Sequence, residues 1–213
     1  MVIGGFTPFT LTDYPGEIAA ICFTQGCNFS CPFCHNKPLI PRDKTGPANK
    51  GSEKVLAFVK NRKDKLTGLV ISGGEPTIQP DLFSFLETVK ALGTRVKLDT
   101  NGSNPKVLLK LLKEGFIDMV AMDIKAPWSK YFLLAGCTVN TDNVKASIDI
   151  ILGSGIKHVF RTTFVPGLLD HEDLDEIRTY LPSEARYVVQ RYKKPAKTET
   201  QRVFSYRAGC RPI

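Results

Sequence analysis

Gly68-Leu-Val-Ile-Ser72, the amphipathic stretch opening at Asp81, and Arg95-Val-Lys-Leu-Asp99 decide the fold when read together. The first is a short continuous apolar run, which suits a strand buried on both faces. The second sets Leu82, Phe85, Leu86 and Val89 at helical spacing, and Gly93 is placed to stop it. The third is again strand-like. Strand, helix and strand in quick succession make one βαβ unit, with parallel strands and a right-handed crossover.

The same alternation continues outward. Upstream, Ile18-Ala-Ala-Ile-Cys-Phe23 predicts a buried strand, followed by a long loop rich in Cys and Pro. Ser52 then reads as the N-cap of a helix carrying Val55, Leu56 and Val59. Downstream, Pro105 opens a helix with Val107, Leu108, Leu111 and Leu112, before a strand over Asp118–Ile124. A helix over Asn143–Leu152, a strand over His158–Phe164, a helix over Asp170–Leu181 and a strand over Arg186–Gln190 complete the series. Six such units without a Pro/Ser-rich linker imply one α/β domain built on parallel strands. The sheet can close, partly close or stay open, and in each case its ligand sits at the C-terminal strand ends.

Composition agrees with a folded domain. The 213 residues are 42% hydrophobic and 23% charged, enough apolar matter for a core and too much for a disordered chain. No run approaches the ~18 apolar residues of a membrane span, and Pro8, Asp13, Pro15 and Glu17 interrupt any leader-like segment. The expectation is an intracellular, cytoplasmic protein with no membrane partner. The net charge is +8, and Glu184–Ile213 alone holds eight Lys/Arg against two Glu. The basic end divides the chain into a main domain over 1–192 and an extension over 193–213. That extension reads as a solvated tail, a docking surface for an acidic partner, or an RNA contact. Tyr187, Tyr192, Phe204 and Tyr206 form no stacking motif, which weighs against nucleic acid.

The polar and special residues fall where the strands end. Ser72-Gly-Gly-Glu-Pro76 follows one strand and Asp99-Thr-Asn-Gly102 another; Asp123 and Lys125 end a third, and Arg161 lies within a fourth. After the first strand comes Cys27-Asn-Phe-Ser-Cys31-Pro-Phe-Cys34-His35-Asn36. Closely spaced cysteines in an intracellular protein indicate metal or redox chemistry. A structural zinc site normally takes four ligands in two separated pairs. Here three thiols sit together while Cys22, Cys137 and Cys210 are scattered, and three thiolates suit an iron–sulfur cluster with one open iron.

Cys-x3-Cys-x2-Cys followed by Ser-Gly-Gly-Glu-Pro resembles the paired signature of the radical S-adenosylmethionine (SAM) enzymes. Within that superfamily the chain is similar to the activating enzymes of glycyl-radical proteins. The similarity rests on Cys31-Pro-Phe-Cys-His-Asn36, Leu98-Asp-Thr-Asn-Gly102, Met122-Asp-Ile-Lys125 and Val165-Pro-Gly167. With Gly5-Phe-Thr-Pro-Phe-Thr-Leu-Thr-Asp-Tyr-Pro-Gly16 it looks closest to the activating proteins of anaerobic ribonucleoside-triphosphate reductase. The likeness runs from about residue 5 to 192.

The resemblance implies a partial (β/α)6 TIM-like barrel. It implies that Cys27, Cys31 and Cys34 hold a [4Fe–4S] cluster, whose open iron takes the amino and carboxylate groups of SAM. Reductive cleavage of SAM to a 5′-deoxyadenosyl radical, then hydrogen abstraction from a partner glycine, is the implied activity. Gly73 and Gly74 would bring bare backbone to the methionine end of SAM, and Glu75 would orient the amino group or close the turn. Asp99 and Thr100 would lie beneath the cofactor, where related activases bind a monovalent cation. Asp123 and Lys125 share a face and read either as ribose and carboxylate contacts or as an internal ion pair. Arg161 has the same two readings, and Phe33 flanks adenine or belongs to the core.

His35 and Asn36 would tune the cluster through hydrogen bonds, whereas His158 and His171 read as structural. Some related activases carry a further His after the sixth strand, and Gln190-Arg-Tyr-Lys-Lys194 has none. The cysteine-rich insert of larger activases is missing too, so the electron must come from an external one-electron reductant such as flavodoxin or ferredoxin. A small-molecule radical SAM enzyme, such as a 7-carboxy-7-deazaguanine synthase, shares the loop and the Gly-Gly-Glu motif. Asp-Thr-Asn-Gly and Asp-x-Lys fit activases better. An iron–sulfur electron carrier would have no use for Gly-Gly-Glu-Pro.

Overall fold

A computed structural model describes residues 1–41 and 48–194. Seven strands form one sheet in sequential order, and its first and last strands are not neighbours, so the sheet stays open. The strands are β1 (Ile3–Thr10), β2 (Ala19–Thr24), β3 (Gly68–Gly73), β4 (Arg95–Thr100), β5 (Met119–Asp123), β6 (Lys157–Phe164) and β7 (Tyr187–Arg191). From β2 to β7 all pairs are parallel. These six strands are the ones expected from the sequence. Between them lie α1 (Ala48–Asn61), α2 (Leu82–Ala91), α3 (Pro105–Lys113), α4 (Tyr131–Ala135), α5 (Thr141–Gly153) and α6 (His171–Thr179). Together they make the open, partial TIM-like α/β domain.

Two elements were absent from the sequence reading. β1 pairs antiparallel with β2 and contains Gly4, Gly5 and Pro8. It is mostly half-buried and lacks the continuous apolar run that marks β2, β3 and β5. α4 is a single turn and a half, stopped by Gly136 at φ +69° and too short for periodicity to reveal. Boundaries also moved. α1 begins upstream of Ser52, and α5 begins at Thr141 because Asn140 caps it, accepting the Asp142 N–H at 3.0 Å. α6 starts where expected, since Asp170 and Asp173 form a capping box. Most of the basic extension, with Phe204, Tyr206 and Cys210, lies outside the described residues.

The two faces of the sheet bury different residues. The helix-packed face carries large side chains, including Leu69, Ile71, Leu98, Met122 and Phe160, all fully buried against the helices. On the opposite, concave face sit Ala19, Ile21, Val70, Met119, Ala121 and Val159, closed from below by Tyr14. Strands buried on both faces read as unbroken apolar runs, which is why β2, β3 and β5 were legible. The concave residues are the smaller set, so a cavity of about 370 Å³ remains above them at the C-terminal strand ends. No described helix is long and apolar enough to cross a membrane.

Candidate active site

The cysteine loop is held from three directions. At its base, the Gln25 amide donates to the carbonyls of Pro38 (3.1 Å) and Pro41 (2.7 Å). There too, the Gly26 N–H reaches the Leu39 carbonyl at 2.7 Å. Towards α4, the Ser30 N–H donates to the Ala135 carbonyl at 2.8 Å. A side chain at Gly136 would come within 2.1 Å of the Ser30 oxygen, so only glycine allows that approach. Towards β4, Asn28 donates to the Ser103 hydroxyl at 2.7 Å and accepts from the Asn101 amide at 2.9 Å.

Cys27, Cys31 and Cys34 all line the cavity. Burial pushes the Cys27 thiol up to about 12 and raises Cys31 and Cys34 as well, against the lowering field of Lys125. Buried thiols in this state become thiolates only when something with strong positive character binds them. No three His, Cys, Asp or Glu side chains among the described residues converge on a point where one ion could sit. A cubane asks for something different, one thiolate at each of three irons, and three soft thiols on one loop are the donor set that it takes.

The Ser-Gly-Gly-Glu-Pro turn lies directly across from the loop. Gly73 has φ +108°, and a Cβ there would meet the Thr24 nitrogen at 2.4 Å; a Cβ on Gly74 would meet the Gly26 oxygen at 2.0 Å. Both glycines line the cavity, but their missing side chains make room for the backbone after β2. The requirement for glycine is therefore set by the packing of two loops.

Glu75 is almost wholly buried, at 1% exposure. Its Oε1 accepts from the Thr77 N–H (3.0 Å), the Thr77 hydroxyl (2.6 Å) and the Thr100 hydroxyl (2.8 Å). Oε2 accepts from the Asn101 N–H at 2.8 Å. Of its two expected roles, the structure displays the closing of the turn, extended to the loop after β4. Burial raises its pKa even though all four donors favour the ionised form.

A charged ladder crosses the ends of β4, β5 and β6. Lys97 donates to Asp99 Oδ1, and Ser72 (3.2 Å) and Arg161 (3.4 Å) donate to Oδ2. Arg161 Nε also donates to Asp123 Oδ1 at 2.8 Å, while Lys125 Nζ donates to Asp123 Oδ2 at 3.0 Å. Burial alone would raise Asp123, but Arg161 and Lys125 overcome it and hold the carboxyl down to about 2. Asp123 in turn keeps Lys125 and Arg161 firmly protonated against their own burial. The two readings of these residues are compatible, because they form an internal network and also line the cavity.

Phe33 is 7% exposed, lines the cavity and packs edge-on against Tyr192 at 6.4 Å. His35 tilts against the same Tyr192 ring, 5.3 Å away. In the stretch Gln190–Lys194, which holds no His, Gln190 lines the cavity. His158 Nδ1 donates to the Ile156 carbonyl at 3.0 Å, and His171 stacks on Phe164; neither lines the cavity. Cys22 is fully buried on the helix face of β2, and the Cys137 thiol donates to the Asn28 carbonyl at 3.5 Å.

All twelve residues expected from the sequence to hold the cluster or SAM thus meet in one cavity. Asn28, Asn101 and Ser103, which tie its loops together, were not singled out, nor was Lys97. The cavity brings soft thiol donors beside a rim of both charge signs, which suits a cluster and a zwitterionic ligand. Its volume falls within the range of small-molecule sites.

Residues 21–181 match the family model described as the radical SAM superfamily, and the chain belongs to that superfamily. Among its relatives, a protein of Methanocaldococcus jannaschii named as a candidate glycyl-radical enzyme activating enzyme is 33% identical over 90% of this chain and 80% of its own. The pyruvate formate-lyase-activating enzyme of Streptococcus mutans is 31% identical over 81% of this chain and 69% of its own. In fold the chain is similar to Streptococcus suis SuiB bound to S-adenosylmethionine, with a TM-score of 0.66 at 21% identity. That likeness covers 83% of this chain and 41% of SuiB, so the chain spans less than half of that structure.

Proposed function

We propose that this protein is a radical SAM activase that places a glycyl radical on a partner enzyme, the anaerobic ribonucleoside-triphosphate reductase. The observation that carries the reading is the meeting of all three cysteines, the Gly-Gly-Glu turn and the charged ladder in a single cavity. Similarity to activating enzymes supports the protein-substrate class. The choice of reductase rests on overall resemblance, with the opening Gly5–Gly16 as the stretch that recurs in sequences of that kind.

In this reading Cys27, Cys31 and Cys34 ligate a [4Fe–4S] cluster, and the rim binds SAM. Cluster and SAM, when bound, supply one-electron cleavage and hydrogen-atom abstraction; the chain supplies position, charge and exclusion of water. Arg161 and Lys125 offer donors to the carboxylate and ribose of SAM. Asp123 keeps both cations charged and in place, and Phe33 offers a ring face or edge to adenine. The sheet between β1 and β7 stays open for a loop of the partner, and the extension over 193–213 is a further docking surface in this reading. The electron comes from an outside reductant of the flavodoxin or ferredoxin kind, in the cytoplasm.

The test uses protein purified and reconstituted without oxygen. With dithionite and SAM, 5′-deoxyadenosine accumulates and Cys31→Ala protein makes none. With the reductase added, electron paramagnetic resonance detects a glycyl radical on the reductase. Cleavage without any radical on the reductase would retain the radical SAM reading and remove this partner.

A further inference from the structure

We infer that the buried ammonium of Lys97 is the resident cation of this site and that no alkali-metal ion binds at Asp99. The inference rests on the proposed SAM site and concerns how that site is charged. The motif resemblance leads one to expect a monovalent cation at Asp99 and Thr100, and the residues present do not fit it. Asp99 Oδ1 already accepts from Lys97, and Oδ2 accepts from Ser72 and Arg161. The Thr100 hydroxyl donates to Glu75 Oε1 at 2.8 Å and accepts the Gly102 N–H at 3.2 Å. An alkali ion needs several oxygen ligands at once, and it would have to take them from two cationic side chains already in contact with the same carboxylate.

Lys97 is not a passing surface charge. It is 4% exposed, and its register sets it opposite Val70 on β3 and Met119 on β5. It therefore rises from the apolar floor of the concave face. Its side chain has one hydrogen-bond partner among the described residues, Asp99. Removing the ammonium from that position would leave the Asp99 carboxylate with Arg161 as its one cationic partner among the described residues. An ammonium is a compact point charge, so it holds the Asp99 carboxylate as a bound metal ion would, without depending on the ionic content of the solution. Lys97 is a positioning residue, acting through Asp99, which lines the cavity. Its signal in the sequence is the spacing Lys-Leu-Asp, which puts both side chains on one face of β4.

The test is SAM binding to the reconstituted, cluster-bearing protein, measured by calorimetry in choline, sodium and potassium buffers of equal ionic strength. The wild-type dissociation constant stays within twofold across the three. Lys97→Met binds at least tenfold more weakly in choline and recovers when sodium or potassium is added. Crystals of the variant soaked in thallium show anomalous density at Asp99, and wild-type crystals show none there. A tenfold loss of wild-type affinity in choline, or thallium at Asp99 in the wild type, overturns the inference. A folded Lys97→Met protein that no alkali ion rescues overturns it as well. Should Lys97→Met fail to fold, the wild-type comparison and the thallium soak decide alone. Wild-type protein that binds no SAM in any buffer would refute the functional reading itself.

Discussion

The two halves of the rim solve the same problem with different chemistry. The loops after β2 and β3 are held by neutral donors, with Glu75 collecting four of them and Asn28 bridging to Asn101 and Ser103. The ends of β4, β5 and β6 are held by ion pairs, with Arg161 joining Asp99 to Asp123. A buried carboxyl therefore exists in both halves, but burial raises one and two cations depress the other. The neutral half shapes backbone, since loops need many directional bonds to hold one conformation. The charged half keeps formal charges ready for a ligand on rigid strands, where less ordering is required on binding.

Substitutions can break this contrast, and the largest effect falls outside both networks. Cys31→Ala removes a thiol that neither half replaces, so reductive SAM cleavage falls to background while far-ultraviolet circular dichroism is unchanged. Retained cleavage would show that the loop is not the cluster site. In the charged half, Asp123→Asn leaves Arg161 and Lys125 facing each other without their anion. It costs about 1–3 kcal/mol of stability near neutral pH, because the carboxylate is only partly desolvated, and SAM affinity falls with it.

The pH dependence of the two carboxyls has opposite sign. Asp123 is depressed, so its contribution is present above the unfolded carboxyl value of ~3.9 and is lost as pH falls through about 2. The stability gap between wild type and Asp123→Asn in urea titrations closes over that acid interval. Glu75 is raised, so its contribution is present below the unfolded value and lost as pH rises through the folded one. Glu75→Gln imitates the protonated form and removes that decline, at a cost of about 1–3 kcal/mol for the acceptor it loses. Equal pH profiles for wild type and Glu75→Gln would erase the distinction between the halves. The smallest effect belongs to Gln190→Ala, which weakens SAM binding a few-fold in calorimetry and leaves thermal stability unchanged.

Much of this architecture was legible because β2, β3 and β5 are buried on both faces and read as nearly unbroken apolar runs. β1 escaped because half-burial, two glycines and a proline leave it no period to detect. α4 escaped because five residues hold too few positions for one. Among site residues, Cys27, Cys31, Cys34, Gly73, Gly74 and Glu75 announce themselves by local spacing. For Lys97 the Lys-Leu-Asp spacing shows only a face shared with Asp99, since a lysine inside a strand carries no mark of burial until its neighbours are known. Asn28 and Ser103 are distant in sequence and became partners only through folding.

The sequence by itself determined which residues would gather at the strand ends, because strand periodicity and loop position are local properties of the chain. The tertiary structure alone decided what each of them does there. The reason for Gly73 and Gly74 is the backbone of Thr24 and Gly26 beside them. The donors that Thr100 and Asn101 give Glu75, and the bridge of Arg161 to Asp99 and Asp123, are likewise contacts between separate segments. Charge state, burial and hydrogen-bond saturation depend on distances between such segments, and only the packed fold sets those distances.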